Sequence, residues 1–235
     1  VALPLLRTLA GAVVETLFPR RCTGCGQAGA ILCSRCAASL LRVPEPQCAI
    51  CGAPLRATGA ACRRCAEHPL PLDGLRSIYA YASPLKEALQ RFKYVGASVA
   101  AADLAPLMAR ALAETGFTVD SVVGVPLHPH RERQRGFNQA AALGSALAGA
   151  AGVPYLGDAV RRVRDTPSQA RQASRGDRWR NVEGAFRADP ARVAGRRILV
   201  VDDVCTTGAT VSACGQALRD AGAQAVWGLT LARAL

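Results

Sequence analysis

Beyond residue 75, short unbroken apolar runs alternate with stretches at helical spacing. RSIYAYA (76–82), VDSVVGVPL (119–127), RRILVVDD (196–203) and AVWGLTLAR (225–233) are rich in β-branched and aliphatic residues and have strand length, and AVRRV (159–163) is a shorter strand candidate. Between them, PLKEALQRF (84–92), ADLAPLMARALAE (102–114), the stretch from Asn138 through Gly149, and TVSACGQALRDAG (210–222) repeat apolar residues at helical intervals. Strands alternating with helices predict an α/β fold with a parallel sheet, and ligands at the carboxyl ends of its strands. HPLPLDG (68–74) reads as a proline-rich linker. Upstream, Leu6, Leu9, Val13 and Leu17 predict a helix that ends at Pro19 and packs on the adjoining cysteine-rich segment. The predicted division is residues 1–67, a helix and a cysteine-rich module, and residues 75–235, the α/β domain.

Eight of the ten cysteines fall between residues 22 and 65 in four Cys-x-x-Cys pairs: Cys22/Cys25, Cys33/Cys36, Cys48/Cys51 and Cys62/Cys65. Such a pair forms a tight knuckle that offers two thiolates to one ion, and Gly26 and Gly52 supply the positive φ that turns the chain around the sulfurs. Four thiolates in a tetrahedron make a closed structural zinc site, with no position left for a reacting water. Disulfides are the competing reading, disfavoured in a chain that looks cytosolic, and iron–sulfur ligation is a smaller alternative. Spacing alone leaves sequential pairing, interleaved pairing and a single occupied site equally open. A segment this short has little core of its own, so metal binding would supply much of its folding energy. Arg35, Arg63 and Arg64 lie inside the knuckles, where solvated surface is the simpler reading and phosphate contact the sharper one.

Composition sharpens this picture. Half the residues are hydrophobic, which excludes a disordered chain. The nearest approach to a membrane span, VALPLLRTLAGAVVETLF, is broken by Arg7 and Glu15 and lacks a basic leader, so the chain reads as soluble and cytoplasmic. The net charge of +12 is almost wholly arginine, Lys86 and Lys93 being the two lysines. Two occupied zinc sites of four thiolates each would lower it to about +8. Guanidinium forks suit phosphates, and a positive field favours nucleic acid or phosphorylated ligands.

The sharpest motif is RILVVDDVCTTGATVSACGQAL (197–218). An apolar strand ends in Asp202 and Asp203; Thr206, Thr207, Gly208, Ala209 and Thr210 then form a small-residue turn into a helix. Backbone N–H groups at such a turn welcome a phosphate monoester, the threonine hydroxyls add donors, and adjacent carboxylates accept hydrogen bonds from vicinal ribose hydroxyls. A phosphate cradle beside a diol clamp describes a ribose 5-phosphate site. Cys205 and Cys214 read as packing residues. The string closely resembles the phosphoribosyl pyrophosphate motif of type I phosphoribosyltransferases. GVPLHPHRERQRGFNQA (124–140) and RRVRDTPSQARQASRGDRWRNVEGAF (161–186), with Thr166, Gln169 and Asn181, extend the likeness. Together with the cysteine module they resemble the ComF family of competence (GntX-like) proteins over essentially the whole chain, RGFNQ being close to diagnostic.

The resemblance implies a type I phosphoribosyltransferase fold behind a zinc-binding domain. It implies that Asp202 and Asp203 meet the ribose hydroxyls as the catalytic pair, and that the 206–210 loop holds the 5-phosphate. Residues 124–140 would be a loop at the pyrophosphate, with Arg131, Arg133 and Arg135 as clamps. Residues 161–181 would be a loop that closes over the substrate and brings Arg175 to the pyrophosphate. Magnesium would bridge the pyrophosphate and the ribose hydroxyls. Lys93 is a further anion candidate, and His128 and His130, two histidines without a nearby acid as partner, make no base.

Three functions fit such a site: a transferase with an unassigned acceptor in nucleotide or amine metabolism, a non-catalytic phosphoribosyl pyrophosphate sensor, and a protein that handles single-stranded DNA with DNA-uptake partners in natural competence. Aromatic residues are only 5% of the chain and Trp179 is the one tryptophan in 161–180, which favours phosphate contact over base reading. The reading adopted is a phosphoribosyl pyrophosphate site acting in competence-type DNA uptake.

Overall fold

The computed structural model describes residues 20–57, 61–92, 97–166 and 175–235, and the side chains of all of these but 97–98 and 175–177. The predicted N-terminal helix, Lys93, Gln169 and the Arg175 side chain therefore lie outside the described residues. Two short helices follow cysteine knuckles, α1 (Ser34–Ala38) and α2 (Arg63–Glu67). The α/β region then runs β1 (Gly74–Ala80), α3 (Leu85–Phe92), α4 (Ala97–Thr115), β2 (Ser121–Gly124), α5 (Pro129–Arg135), α6 (Gln139–Ala151), β3 (Val160–Arg162), α7 (Arg175–Val182), β4 (Phe186–Ala188), α8 (Pro190–Val193), β5 (Arg197–Cys205), α9 (Ala209–Asp220) and β6 (Ala225–Arg233).

Four of the strands form one parallel sheet in the order β1-β6-β5-β2. Side chains alternate across β5. Leu199 and Val201 join the cluster under α3, α4 and α6, while Ile198 and Val200 join the one under α9 and the β3–β4 hairpin. Burial on both faces is why these strands read as continuous apolar runs. Both sheet edges are covered. Val122 N–H donates to the Pro154 carbonyl at 2.9 Å and Leu156 N–H to the Val122 carbonyl at 2.8 Å beside β2. Beside β1, the segment between the two cysteine clusters adds an antiparallel rung, Ala80 N–H to Leu41 O at 2.8 Å and Val43 N–H to Ile78 O at 3.1 Å.

Two expectations change. The shorter strand candidate, β3, is not part of the parallel sheet but pairs antiparallel with β4, Arg162 opposite Phe186. The expected basic loop at 124–140 contains a helix, α5, which starts at Pro129, a residue with the right φ for a first helical position, and stops at Gly136 with φ +84°.

Candidate active site

Chain direction marks the crevice. From β5 the chain crosses through α9 to β6 on one side; from β2 it crosses through α6 to the Tyr155 bridge on the other. The carboxyl ends of β2 and β5 therefore flank a topological switch point, where open α/β sheets bind ligands.

Asp202 and Asp203 stand at the β5 end of this crevice. Their carboxylates are oriented by local backbone: Asp203 N–H donates to Asp202 Oδ1 at 2.9 Å and Val204 N–H to Asp203 Oδ1 at 2.8 Å. Burial, and then the neighbouring Asp203 charge, push the Asp202 carboxyl well above the ordinary carboxylate range. The turn into α9 is shaped by Gly208, whose φ of +83° only glycine adopts readily. Thr207 is buried and its Oγ1 accepts from the Ala209 N–H at 3.3 Å, while Thr206 and Thr210 are partly exposed. Gly208 and Ala209 are buried beneath them, so the loop presents backbone and hydroxyls at the positive end of the 12-residue α9.

The opposite wall rises from β2. A Cβ on Gly124 would lie 2.5 Å from the Ala140 carbonyl oxygen, so only glycine lets α6 start this close to the strand. Asn138 caps α6, its Oδ1 accepting from the Ala140 and Ala141 amides at 3.0 and 3.3 Å, and its Nδ2 donates to the Val125 carbonyl at 3.0 Å. Phe137 packs on Phe92 with ring centroids 5.9 Å apart. The RGFNQ string thus works as a helix stop, a core anchor and a helix start.

Because α5 is a helix, Arg131, Arg133 and Arg135 do not share one side: i and i+4 lie together, i+2 away from them. Arg133 is exposed. Arg135 is exposed and donates to Gln139 Oε1 at 2.8 Å. Arg131 turns inward, with Nε 3.3 Å from Asp165 Oδ1 and a donated hydrogen bond to the Thr166 carbonyl. The fold also supplies an acid partner to His128 and His130 from a remote part of the chain. Asp165 Oδ2 lies 3.1 Å from His130 Nδ1 and 3.7 Å from His128 Nδ1. Burial opposes ionisation of Asp165, but the His130 hydrogen bond and the charges of His128 and Arg131 outweigh it and hold this carboxyl below its ordinary range.

Arg162 was not singled out by sequence. It is 8% exposed, stacks its guanidinium 5.4 Å from the centroid of the Phe186 ring and donates to Thr166 Oγ1. Burial, then the like charge of Arg131, pull its guanidinium below its ordinary value, against Asp165 and Asp202. A usable signal existed: in AVRRV the alternation Val160 in, Arg161 out puts Arg162 inward.

The eight cysteines form two clusters in sequential order, Cys22, Cys25, Cys33 and Cys36, and Cys48, Cys51, Cys62 and Cys65, with all sulfurs of a cluster within 4.8 Å of one another. Sulfurs at about 2.3 Å around a tetrahedral ion lie about 3.8 Å apart; Cys25 and Cys33 are 3.7 Å apart, and Cys51 and Cys62 3.8 Å. Cys22 Sγ accepts from the Gly24 and Cys33 amides, and Cys48 Sγ from those of Cys51 and Cys62. Burial works against these thiolates, but the amides prevail and bring Cys22 and Cys48 down to about 6. The donor set and spacing fit zinc. Gly26 and Gly52 have φ of +74° and +65°. Arg35 faces the Cys25 sulfur, whose hydrogen bond and charge raise the guanidinium above its ordinary value. Arg64 lies 5.9 Å from the centroid of the Trp179 ring. With Arg63, Arg233 and Thr206 it lines a cavity of about 380 Å³ between the second cluster and the 206–210 turn.

Residues 13–66 match the double zinc ribbon domain family, and residues 133–234 the phosphoribosyl transferase domain family. The molecule is therefore a phosphoribosyltransferase-type α/β domain joined to a zinc ribbon module. Among solved structures, glutamine phosphoribosylpyrophosphate amidotransferase from B. subtilis is 21% identical with a TM-score of 0.42, the match covering 61% of this chain and 30% of that one. The DNA utilization protein YhgH of Salmonella typhimurium is 36% identical over 87% of this chain and 91% of its own length. Competence protein F of Haemophilus influenzae is 32% identical over 86% and 90%. Competence protein ComFC of Bacillus subtilis is 29% identical over 86% and 84%. The chain belongs to this ComF/YhgH family. Among the described residues, no helix is long and apolar enough to cross a membrane.

Proposed function

We propose that this protein binds phosphoribosyl pyrophosphate in the crevice between β2 and β5, and that it serves DNA utilization or uptake, as the names of its relatives suggest. The observation that carries the first part is the pair of oriented carboxylates, Asp202 and Asp203, one turn before a glycine-shaped helix start at a switch point. In this reading the 5-phosphate sits on the Thr206–Thr210 turn, the ribose hydroxyls donate to the two carboxylates, and the diphosphate extends toward Arg131. Magnesium, when bound, would be held mainly by the ligand's own oxygens and would neutralise diphosphate charge. Cys22, Cys25, Cys33 and Cys36 would hold one structural zinc ion, and Cys48, Cys51, Cys62 and Cys65 a second; residues 1–67 and 75–235 would be the two domains.

Whether chemistry follows binding depends on an acceptor. Transfer would break the C1–oxygen bond to diphosphate and form a bond from C1 to an acceptor amine or base that gives up a proton. The chain's contribution would be positioning and charge complementarity rather than a nucleophile. A purely ligand-sensing role is the second reading.

Calorimetric titration with phosphoribosyl pyrophosphate and magnesium tests this directly, with Asp202→Ala/Asp203→Ala as the comparison and single-stranded DNA as a competing ligand. Binding should be lost in the double variant while its circular dichroism stays native. Unchanged affinity in the variant contradicts the diol clamp.

A further inference from the structure

The two four-cysteine clusters begin on the same string, Cys-x-x-Cys-Gly, yet the fold surrounds them differently. Gly52, in the second, is pressed against β1: an added Cβ would lie 2.5 Å from the Leu75 carbonyl oxygen. At Gly26, in the first, an added Cβ would meet nothing within 4 Å. The cysteines differ in the same sense. In the second cluster Cys48, Cys51 and Cys65 are buried and Cys62 is half-buried. In the first only Cys22 is buried, Cys33 and Cys36 are half-buried, and Cys25 alone of the eight is exposed.

Anchoring follows the same division. The second cluster is packed by Ile50, Leu55 and Leu70, and its knuckle carbonyls accept from Arg76 and Arg233 of the sheet. The first is held by Cys22 in the core and by Thr23, whose Oγ1 donates to the Pro84 carbonyl at 2.9 Å just ahead of α3. Those contacts leave Cys25 on the solvent side, with Arg35 against its sulfur. An exposed thiolate in positive surroundings is the kind that oxidants reach first, whereas buried structural thiols are inert. Cys33 Sγ lies 3.7 Å away, close enough to resolve an oxidised Cys25.

We propose that Cys22, Cys25, Cys33 and Cys36 form a redox-labile metal site opened by oxidation of Cys25, while the second cluster is a fixed structural one. The proposal rests on the two-zinc reading above and is independent of the crevice. With a peroxide as oxidant, the Cys25 thiolate attacks one peroxide oxygen, the O–O bond breaks and hydroxide leaves, giving a sulfenic acid. The Cys33 thiolate then displaces a second hydroxide and closes a disulfide. The two sulfurs together lose two electrons, and the peroxide is reduced to two hydroxide ions. Cys22 and Cys36 would be the two thiolates left to the ion, too few to hold it in a four-thiolate site.

The test uses the full chain loaded with two equivalents of zinc. Hydrogen peroxide is added in the presence of a zinc-binding dye, and the state of each cysteine is mapped by alkylation and mass spectrometry. One equivalent should be released at least about tenfold faster than the other. A Cys25–Cys33 disulfide should accompany it while Cys48, Cys51, Cys62 and Cys65 stay reduced, and a dithiol reductant with zinc should reverse the change. Release of both equivalents at one rate, earlier oxidation of the second cluster, or release with Cys25 unmodified overturns the proposal. Resistance of both clusters to peroxide that oxidises a free thiol under the same conditions overturns it equally. A folded chain that takes up fewer than two equivalents overturns it by removing the two-zinc reading itself.

Discussion

Gly208 holds φ +83° between the end of β5 and the first turn of α9, with Cys205 and Leu75 beneath it. An added Cβ has room there, its nearest neighbour being Leu75 Cδ2 at 3.4 Å, so the cost of Gly208→Ala is chiefly backbone strain. That strain is about 1–2 kcal/mol. The variant should melt at a lower temperature and bind ribose 5-phosphate more weakly, because relieving the strain tilts the turn's amides; a melting temperature and affinity equal to wild type contradict this role. Residues of this kind were legible in the sequence because the whole device, from Asp202 to Thr210, is local. Arg162 had a local signal too, the in–out alternation of AVRRV, but Asp165 had none, because its partners are remote: His130 and Asp165 stand 35 positions apart. Only the tertiary fold makes an acid of Asp165 for His128 and His130.

At the level of elements, the crevice exists because β2 and β5 are held in one register, Ser121 opposite Ile198. Asp120, just before β2, grips the start of β5: its carboxylate accepts from the Arg197 amide at 2.9 Å and from Arg197 Nε and the guanidinium terminus at 3.1 and 2.6 Å. Those hydrogen bonds and the guanidinium charge bring the Asp120 carboxyl down to about 2. Its folded pKa lies below the unfolded value of about 4, so the stabilisation is present above pH 4 and is lost as the pH falls toward 2. Asp120→Asn should therefore melt below wild type at neutral pH, and the gap should narrow from pH 4 downward; a gap independent of pH contradicts the ion pair as its cause. Periodicity located β5, α9, α6 and β6 well, since each buries a continuous stripe or run. It missed α5, whose PHRERQR sequence has no apolar stripe and whose helix is defined by Pro129 and Gly136 instead. It also left β3 in the main sheet, because three residues do not reveal their pairing partner.

For the whole molecule, the cysteine clusters are built into the α/β domain. Cys22, Ile31 and Leu32 belong to the same buried cluster as Leu85, Phe92 and Leu143. Arg76 of β1 donates to the Cys48 and Ala49 carbonyls, and buried Arg233 of β6 reaches the Cys51 carbonyl at 2.9 Å, Ser77 Oγ and Cys205 Sγ. The second cluster is thereby tied to the strand that carries Asp202. Sequence spacing identified the four pairs but left their combination open, because sequential and interleaved pairing offer the same ligands; three-dimensional proximity selects the sequential one. The central claim concerns where the ligand lies, so the most direct measurement is a crystal structure of the zinc-loaded protein with phosphoribosyl pyrophosphate and magnesium. The account predicts the 5-phosphate on the Thr206–Thr210 turn, the ribose hydroxyls on Asp202 and Asp203, and the diphosphate toward Arg131. Ligand density elsewhere, or the two phosphate ends exchanged, would contradict it.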